Sequence, residues 1–199
     1  MLAEEGALLS CLPKSLVGAN VFDAGCGSGR YLKIVQSRGA TVYGADLSPA
    51  MLAQCTDIAQ CASNVTCATL QALPIRDGWA DWTVCGLTVG HLDTLTQTLM
   101  ELKRITRPGG KILCSDFHPM GQRLGWKRTF KVGAQRYEVR HTTHEINDWL
   151  AACMQLNLSV INCLEPYLDP NSIPTNARFD PVALTVPVAL VFEMKRAEG

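Results

Sequence analysis

Short apolar runs along this 199-residue chain alternate with stretches whose apolar positions recur every three or four residues. The short runs read as strands over Asn20–Ala24, Ala40–Asp46, Asn64–Thr69, Asp81–Leu87, Lys111–Phe117, Leu158–Leu164 and Thr185–Lys195. Between them, helical spacing places a helix at Gly29–Ser37, ended by Gly39, and another that opens at Ser48-Pro49. Leu92, Leu95, Leu99 and Leu102 share one face of a third, running from His91 to Ile105. Thr142 with Glu145 reads as a capping box for a fourth, through about Asn157. Ala7, Leu8, Leu9 and Leu12 give a first helix, stopped by Pro13. Strand–helix alternation of this kind predicts an α/β fold around a mostly parallel sheet. One segment breaks the rhythm. Residues 128–132 and 135–140 alternate polar and apolar around Gly133-Ala134, the pattern of a hairpin, expected to stand near the carboxyl ends of the strands as a substrate wall.

The first strand runs into Asp23-Ala24-Gly25-Cys26-Gly27-Ser28-Gly29-Arg30. Glycines at alternate positions let the backbone take positive φ and approach a ligand closely. The helix beyond offers unpaired N–H groups and a positive dipole end. A dinucleotide fingerprint requires G-x-G-x-x-G, and Arg30 stands where its third glycine belongs, which counts against NAD or FAD. Asp46 closes the second strand 23 residues after Asp23. A carboxylate there suits the two hydroxyls of an adenosine ribose. Asp23 is placed to fix the loop or to take a ligand amino group.

The Asp-x-Gly-x-Gly-x-Gly stretch resembles motif I of the class I S-adenosylmethionine (SAM) dependent methyltransferases, and Asp46-Leu47-Ser48-Pro49-Ala50-Met51-Leu52 resembles their motif II. Leu73-Pro74 and Arg107-Pro108-Gly109-Gly110 match two further segments. With these motifs, over about residues 18–117, the chain is similar to the small-molecule branch that includes ubiquinone/menaquinone-biosynthesis methyltransferases. That resemblance implies a Rossmann-like, doubly wound sheet of seven strands in the order 3-2-1-4-5-7-6, strand 7 antiparallel, with the hairpin inserted after strand 5. It implies one domain over 1–199, with a minimal cap helix at 1–17 and the insertion at about 120–142 over the cleft. By the same resemblance SAM is the cofactor and S-adenosylhomocysteine the product. Asp23, Gly25, Cys26, Gly27, Arg30, Asp46, Leu47, Met51, Thr69, Leu70, Gln71, Leu87 and His91 then form the cofactor site. Thr69 occupies the place where the family usually carries an adenine-binding aspartate, so a hydroxyl replaces a carboxylate there.

Composition narrows the partners. Lysine plus arginine equals aspartate plus glutamate, and 47% of residues are hydrophobic. Such a chain carries no basic excess of the kind nucleic-acid binding uses, and the run Arg123–Arg128 reads as a solvated loop. Amino-directed nucleic-acid methylases carry (Asp/Asn)-Pro-Pro-(Tyr/Phe) after strand 4, where this chain has Gly86-Leu87-Thr88-Val89. The acidic start and the absence of a long apolar run predict a cytoplasmic protein without a membrane span. Nine cysteines, without a C-x-x-C pair, read as reduced thiols; the nearest regular run is Cys55, Cys61 and Cys67, and no metal site is expected.

Methyl transfer mainly requires alignment and, for some acceptors, removal of a proton. Candidate bases are His91, His118, His141, His144, Asp116 and Glu165. Two are favoured as catalytic residues. His118 follows the fifth strand with Asp116 two residues before it, on one face if the strand persists. His144 falls in the first turn of a helix facing the cleft. Trp126, Phe130, Tyr137 and Trp149 are candidates for an acceptor pocket or for core. A small-molecule acceptor, taken at oxygen, nitrogen or carbon, is the leading reading, in a monomer or a homodimer. A macromolecular, thiol or metalloid acceptor, or a SAM-binding module without turnover, are the rivals.

Overall fold

The computed structural model describes residues 2–59, 64–133, 135–173 and 179–198. Cys61, Ala134 and Pro174 lie outside these, as does the Phe130 side chain. In chain order the elements are α1 (Leu2–Ser10), β1 (Asn20–Ala24), α2 (Arg30–Ser37), β2 (Thr41–Asp46), α3 (Pro49–Ala59), β3 (Val65–Cys67) and β4 (Ala80–Gly86). There follow α4 (Leu95–Ile105), β5 (Thr106–Phe117), α5 (Pro119–Arg123), β6 (Thr129–Val132), β7 (Gln135–Glu138), α6 (Ile146–Gln155), β8 (Leu158–Leu164) and β9 (Ala189–Arg196). The main sheet has seven strands in the order β3-β2-β1-β4-β5-β9-β8. Its first five strands are parallel, and β9 enters antiparallel between β5 and β8. Numbered within the sheet, this is 3-2-1-4-5-7-6 with strand 7 reversed, as expected. β6 and β7 pair separately as an antiparallel hairpin.

Alternation along the central strands divides the core in two, because successive side chains of a strand point to opposite faces. Val21, Val84, Leu113 and Val191 pack with Leu8, Leu12, Tyr31, Leu32 and Val35 beneath α1 and α2. Phe22, Cys85, Ile112, Cys114 and Phe192 pack with Leu99, Leu102, Ile105 and Trp149 beneath α4 and α6. Phe192 stacks on Trp149 at a centroid distance of 4.9 Å.

The fifth strand begins at Thr106 rather than Lys111, and three further boundaries differ from the pattern-based expectation for a local reason. The single helix expected from His91 is a 3-10 turn (Val89–His91) followed, after an extended Leu92, by α4. Asp93 leaves the helical path, binding Arg140 at 3.0 Å and Thr142 Oγ1 at 3.1 Å. With its hydroxyl so engaged, Thr142 does not cap α6. Glu145 is the N-cap instead, in a reciprocal capping box with Asp148. The last strand starts at Ala189 rather than Thr185, because Pro187 has no N–H to give a ladder and a 3-10 turn occupies Pro181–Leu184.

The stacked pair at the centre of the second core cluster makes that cluster testable. Phe192→Ala is expected to lower unfolding free energy by about 3–5 kcal/mol, measured by urea denaturation; a loss under about 1 kcal/mol would contradict the packing described.

Candidate functional site

The carboxyl ends of the parallel strands carry the loops that the sequence singles out. After β1, Gly25, Gly27 and Gly29 have φ of 78°, 53° and 84°, in the left-handed region that side chains with a Cβ rarely adopt. The Gly25 and Cys26 amides both donate to the Ala45 carbonyl, at 2.7 and 3.0 Å, so the loop folds back over the end of β2. On its other side, a Cβ at Gly25 would stand 2.4 Å from Thr88 Cγ2. Thr88 in turn donates its hydroxyl to the Gly86 and Gly25 carbonyls. The loop is thus clamped between the exits of β2 and β4.

Two carboxylates flank it and behave differently. Asp46 is half-buried and already holds two amides, Gly27 N on Oδ2 and Ser48 N on Oδ1, each at 2.8 Å. Each oxygen keeps further acceptor capacity for a ligand hydroxyl. Asp23 is buried, and neither of its oxygens has a hydrogen-bond partner among the described residues. Burial pushes its pKa up to about 7, against the pull of the Arg30 charge and the nearby Leu32 amide. An unpartnered carboxylate inside a protein is costly unless something else meets it.

The remaining predicted cofactor residues fall around this core. Cys26 is buried, its thiol pushed up by burial, whereas Leu47 and Met51 are exposed beyond β2. Thr69 follows β3, half-buried, its hydroxyl accepting the Gln71 amide at 3.4 Å. Leu70 is buried, and the exposed Gln71 donates to Thr94 and Gln97. Leu87, with φ of 56°, and His91 follow β4. The order β3-β2-β1-β4 sets these four loops side by side along one edge, at the switch point where open α/β sheets take ligands. Arg30 turns toward α1 instead, pairing with Glu4 at 3.2 Å and Glu5 at 3.5 Å.

That pairing belongs to a cluster the sequence did not announce. Glu4 is 1% exposed and accepts Tyr31 Oη at 2.6 Å and the Ser115 hydroxyl on the same oxygen. A charged residue in the first turn of a nine-residue helix reads as a solvated position, so only the fold finds this one.

Beyond β5 lie two adjoining hollows. One of about 370 Å³ is mostly apolar, lined by Leu87, Phe117, Trp126, Leu168, Phe179 and Val188, with Glu4 at its rim. The other, of about 540 Å³, shares Phe117, Trp126 and Val188 and adds His118, Arg128 and His141. The hairpin reaches it through Glu138 of β7. His118 has both ring nitrogens engaged. Nδ1 accepts the Met120 amide at 3.0 Å as N-cap of α5, and Nε2 lies 2.8 Å from Glu165 Oε1. Asp116 pairs not with His118 but with His141, at 2.9 Å. His144 lies elsewhere, against a separate groove with Asp93, Thr94 and Asp148, its Nε2 buried without a partner. Trp149 is core, Tyr137 is exposed on the hairpin, and Trp126 faces both hollows.

Comparison with known proteins agrees with this geometry. Residues 22–114 match the family model described as a methyltransferase domain. A curated relative, the malonyl-[acyl-carrier protein] O-methyltransferase of Serratia marcescens, is 35% identical over 113 residues, 55% of this chain and 43% of that protein. The chain therefore matches less than half the length of that relative. Among solved structures, an S-adenosylmethionine dependent methyltransferase from Mesorhizobium loti superposes with a TM-score of 0.75 at 22% identity, covering 98% of each chain. A geranyl diphosphate C-methyltransferase from Streptomyces coelicolor, solved with S-adenosyl-L-homocysteine, gives 0.71 at 14% identity, covering 98% of this chain and 79% of that one. The chain has the class I methyltransferase fold. Within that fold, residues 22–114 are similar in sequence to a methyltransferase domain.

Asp23 links this site to stability. The native state keeps its proton up to about pH 7, while the unfolded chain loses it near 3.8. Ligand-free stability therefore falls as pH rises through that window. Asp23→Asn is expected to raise the melting temperature of the ligand-free protein at pH 8, to raise it less at pH 5 and to change it little at pH 3, measured by scanning calorimetry. An equal shift at all three pH values would contradict the assignment.

Proposed function

We propose that this chain transfers a methyl group from SAM to a small or carrier-linked acceptor, with Asp23, the glycine loop and Asp46 holding the cofactor. One observation carries the reading: a buried carboxylate without a partner beside a glycine loop that closes on a second carboxylate. SAM offers complementary groups, an ammonium for Asp23 and a ribose diol for Asp46. When bound, it supplies an electrophilic methyl on a sulfonium centre.

Asp46 would orient the ribose while keeping the loop amides, and Asp23 would exchange a costly desolvated state for an ion pair. Thr69, Leu70 and Gln71 at the end of β3 are the proposed adenine side, with Leu70 packing and the Thr69 hydroxyl in place of a carboxylate. Cys26, Gly27, Leu47 and Met51 would wall the nucleoside, and Leu87 and His91 the methyl end. Leu87 also lines the apolar hollow, which makes that hollow and its polar neighbour the proposed acceptor site. His118, tied at both nitrogens, would serve there as a wall and as the cap of α5.

The acceptor named for the Serratia relative is carried by a protein, and an acceptor on a carrier arm is compatible with hollows that open to the surface here. A SAM-binding module without turnover is the alternative. Titration calorimetry with S-adenosylhomocysteine tests the cofactor reading. Asp46→Ala is expected to weaken binding by about 1–3 kcal/mol through lost hydrogen bonds, and nicotinamide dinucleotides are expected not to bind. Unchanged affinity in Asp46→Ala would remove that residue from the site; dinucleotide binding without S-adenosylhomocysteine binding would overturn the function.

A further inference from the structure

We infer that His141, held by Asp116, is the general base of this site, and that it serves a hydroxyl acceptor, which carries a proton at working pH, rather than a carboxylate, which does not. The inference rests on the methyl-transfer reading above and adds the acceptor chemistry to it.

Four observations converge. His141 Nε2 lies 2.9 Å from Asp116 Oδ1, and the same carboxylate oxygen accepts the Phe117 amide at 2.8 Å, which fixes the carboxylate at the end of β5. The ring is held edge-on to Phe117, at a centroid distance of 5.6 Å and 86° between planes. A Cβ at Gly90 would stand 2.0 Å from Nε2 and 2.8 Å from Asp116 Oδ2, so the pair sits directly on the bare backbone of the turn after β4. Finally, His141 lines the larger hollow with its side chain 13% exposed. A carboxylate on Nε2 selects the tautomer with the proton there, leaving the Nδ1 lone pair to accept one.

The other histidines do not share this arrangement. His118 has no uncommitted nitrogen, His144 faces a separate groove, and His91 has Arg128 3.4 Å from its Nε2. The charged and titratable groups facing His141 are Asp116 from β5, His91 from the turn after β4 and Arg128 from the stretch before β6. Arg128 stacks over Phe117 at 4.3 Å and makes no ion pair among the described residues.

A base has work to do only where the acceptor carries a proton at working pH. A carboxylate is ionised there, whereas a phenol or alcohol is not. In the step inferred, the hydroxyl proton passes to Nδ1 as the oxygen forms its bond to the methyl carbon. The sulfonium–methyl bond breaks with its electron pair retained on sulfur, and the imidazolium then gives its proton to water. Asp116 acts through His141 and is a positioning residue.

The test uses the full chain saturated with S-adenosylhomocysteine, with its affinity confirmed by calorimetry. Nitrogen-15 NMR of the histidine rings is expected to show neutral His141 protonated at Nε2, and Asp116→Asn to release that preference; protonation at Nδ1 overturns the inference. Radiolabelled SAM is then offered with a panel of phenols and alcohols, and with the matching carboxylic acids. Transfer to a hydroxyl is expected, with kcat falling roughly 10²–10⁴-fold in His141→Ala, and KM and S-adenosylhomocysteine affinity little changed. Gly90→Ala, which displaces the ring without altering it, is expected to reproduce the fall. Transfer confined to carboxylic acids, no transfer to any hydroxyl, or full activity in His141→Ala overturns it. Failure to bind S-adenosylhomocysteine at all would instead remove the cofactor reading, while the tautomer is still read in the free protein.

Discussion

The Asp46 carboxylate, by accepting the Gly27 and Ser48 amides together, ties the turn after β1 to the turn after β2. The conformation of the site depends on that tie. Three alternate residues at positive φ form no hydrogen-bonded ladder of their own, and such a loop is orderly only where outside groups hold it. Here the holders are Asp46, the Ala45 carbonyl and the Thr88 hydroxyl. All three stand at the carboxyl ends of β2 and β4, the two neighbours of β1. The sheet order is therefore not a background to the site but the means of closing it.

Burial sets the electrostatic character on either side of this loop. Asp46, half-buried with two amides, is satisfied without a ligand. Asp23 is not, and the cost appears as its raised pKa. A protein that binds a cation through such a residue gives up stability in the free state and recovers it on binding. The two hollows past β5 show a similar division: one mostly apolar, the other edged by His118, Arg128 and His141.

The sheet and its order were legible because period-two and period-3.6 patterns are local, and because the glycine loop and Asp46 sit at strand ends that those patterns mark. Leu158–Leu164 and Asn20–Ala24 came out with the observed ends. What the pattern missed was decided across distance. Thr142 looks like a cap until Asp93, forty-nine residues earlier, takes its hydroxyl. His118 and Asp116 look like partners by spacing, but the strand ends at Phe117 and each turns to a residue far along the chain, Glu165 and His141. Glu4 reads as solvated because nothing near it in sequence says that Tyr31 and Ser115 converge on it.

Glu4 gives the opening helix a significance out of proportion to its size. Nine residues of helix hold together poorly in water on their own, and this one lays a carboxylate into a nest of two hydroxyls and a guanidinium drawn from α2 and β5. The same carboxylate borders the apolar hollow. One wall of that hollow therefore stands only while the amino-terminal helix is anchored.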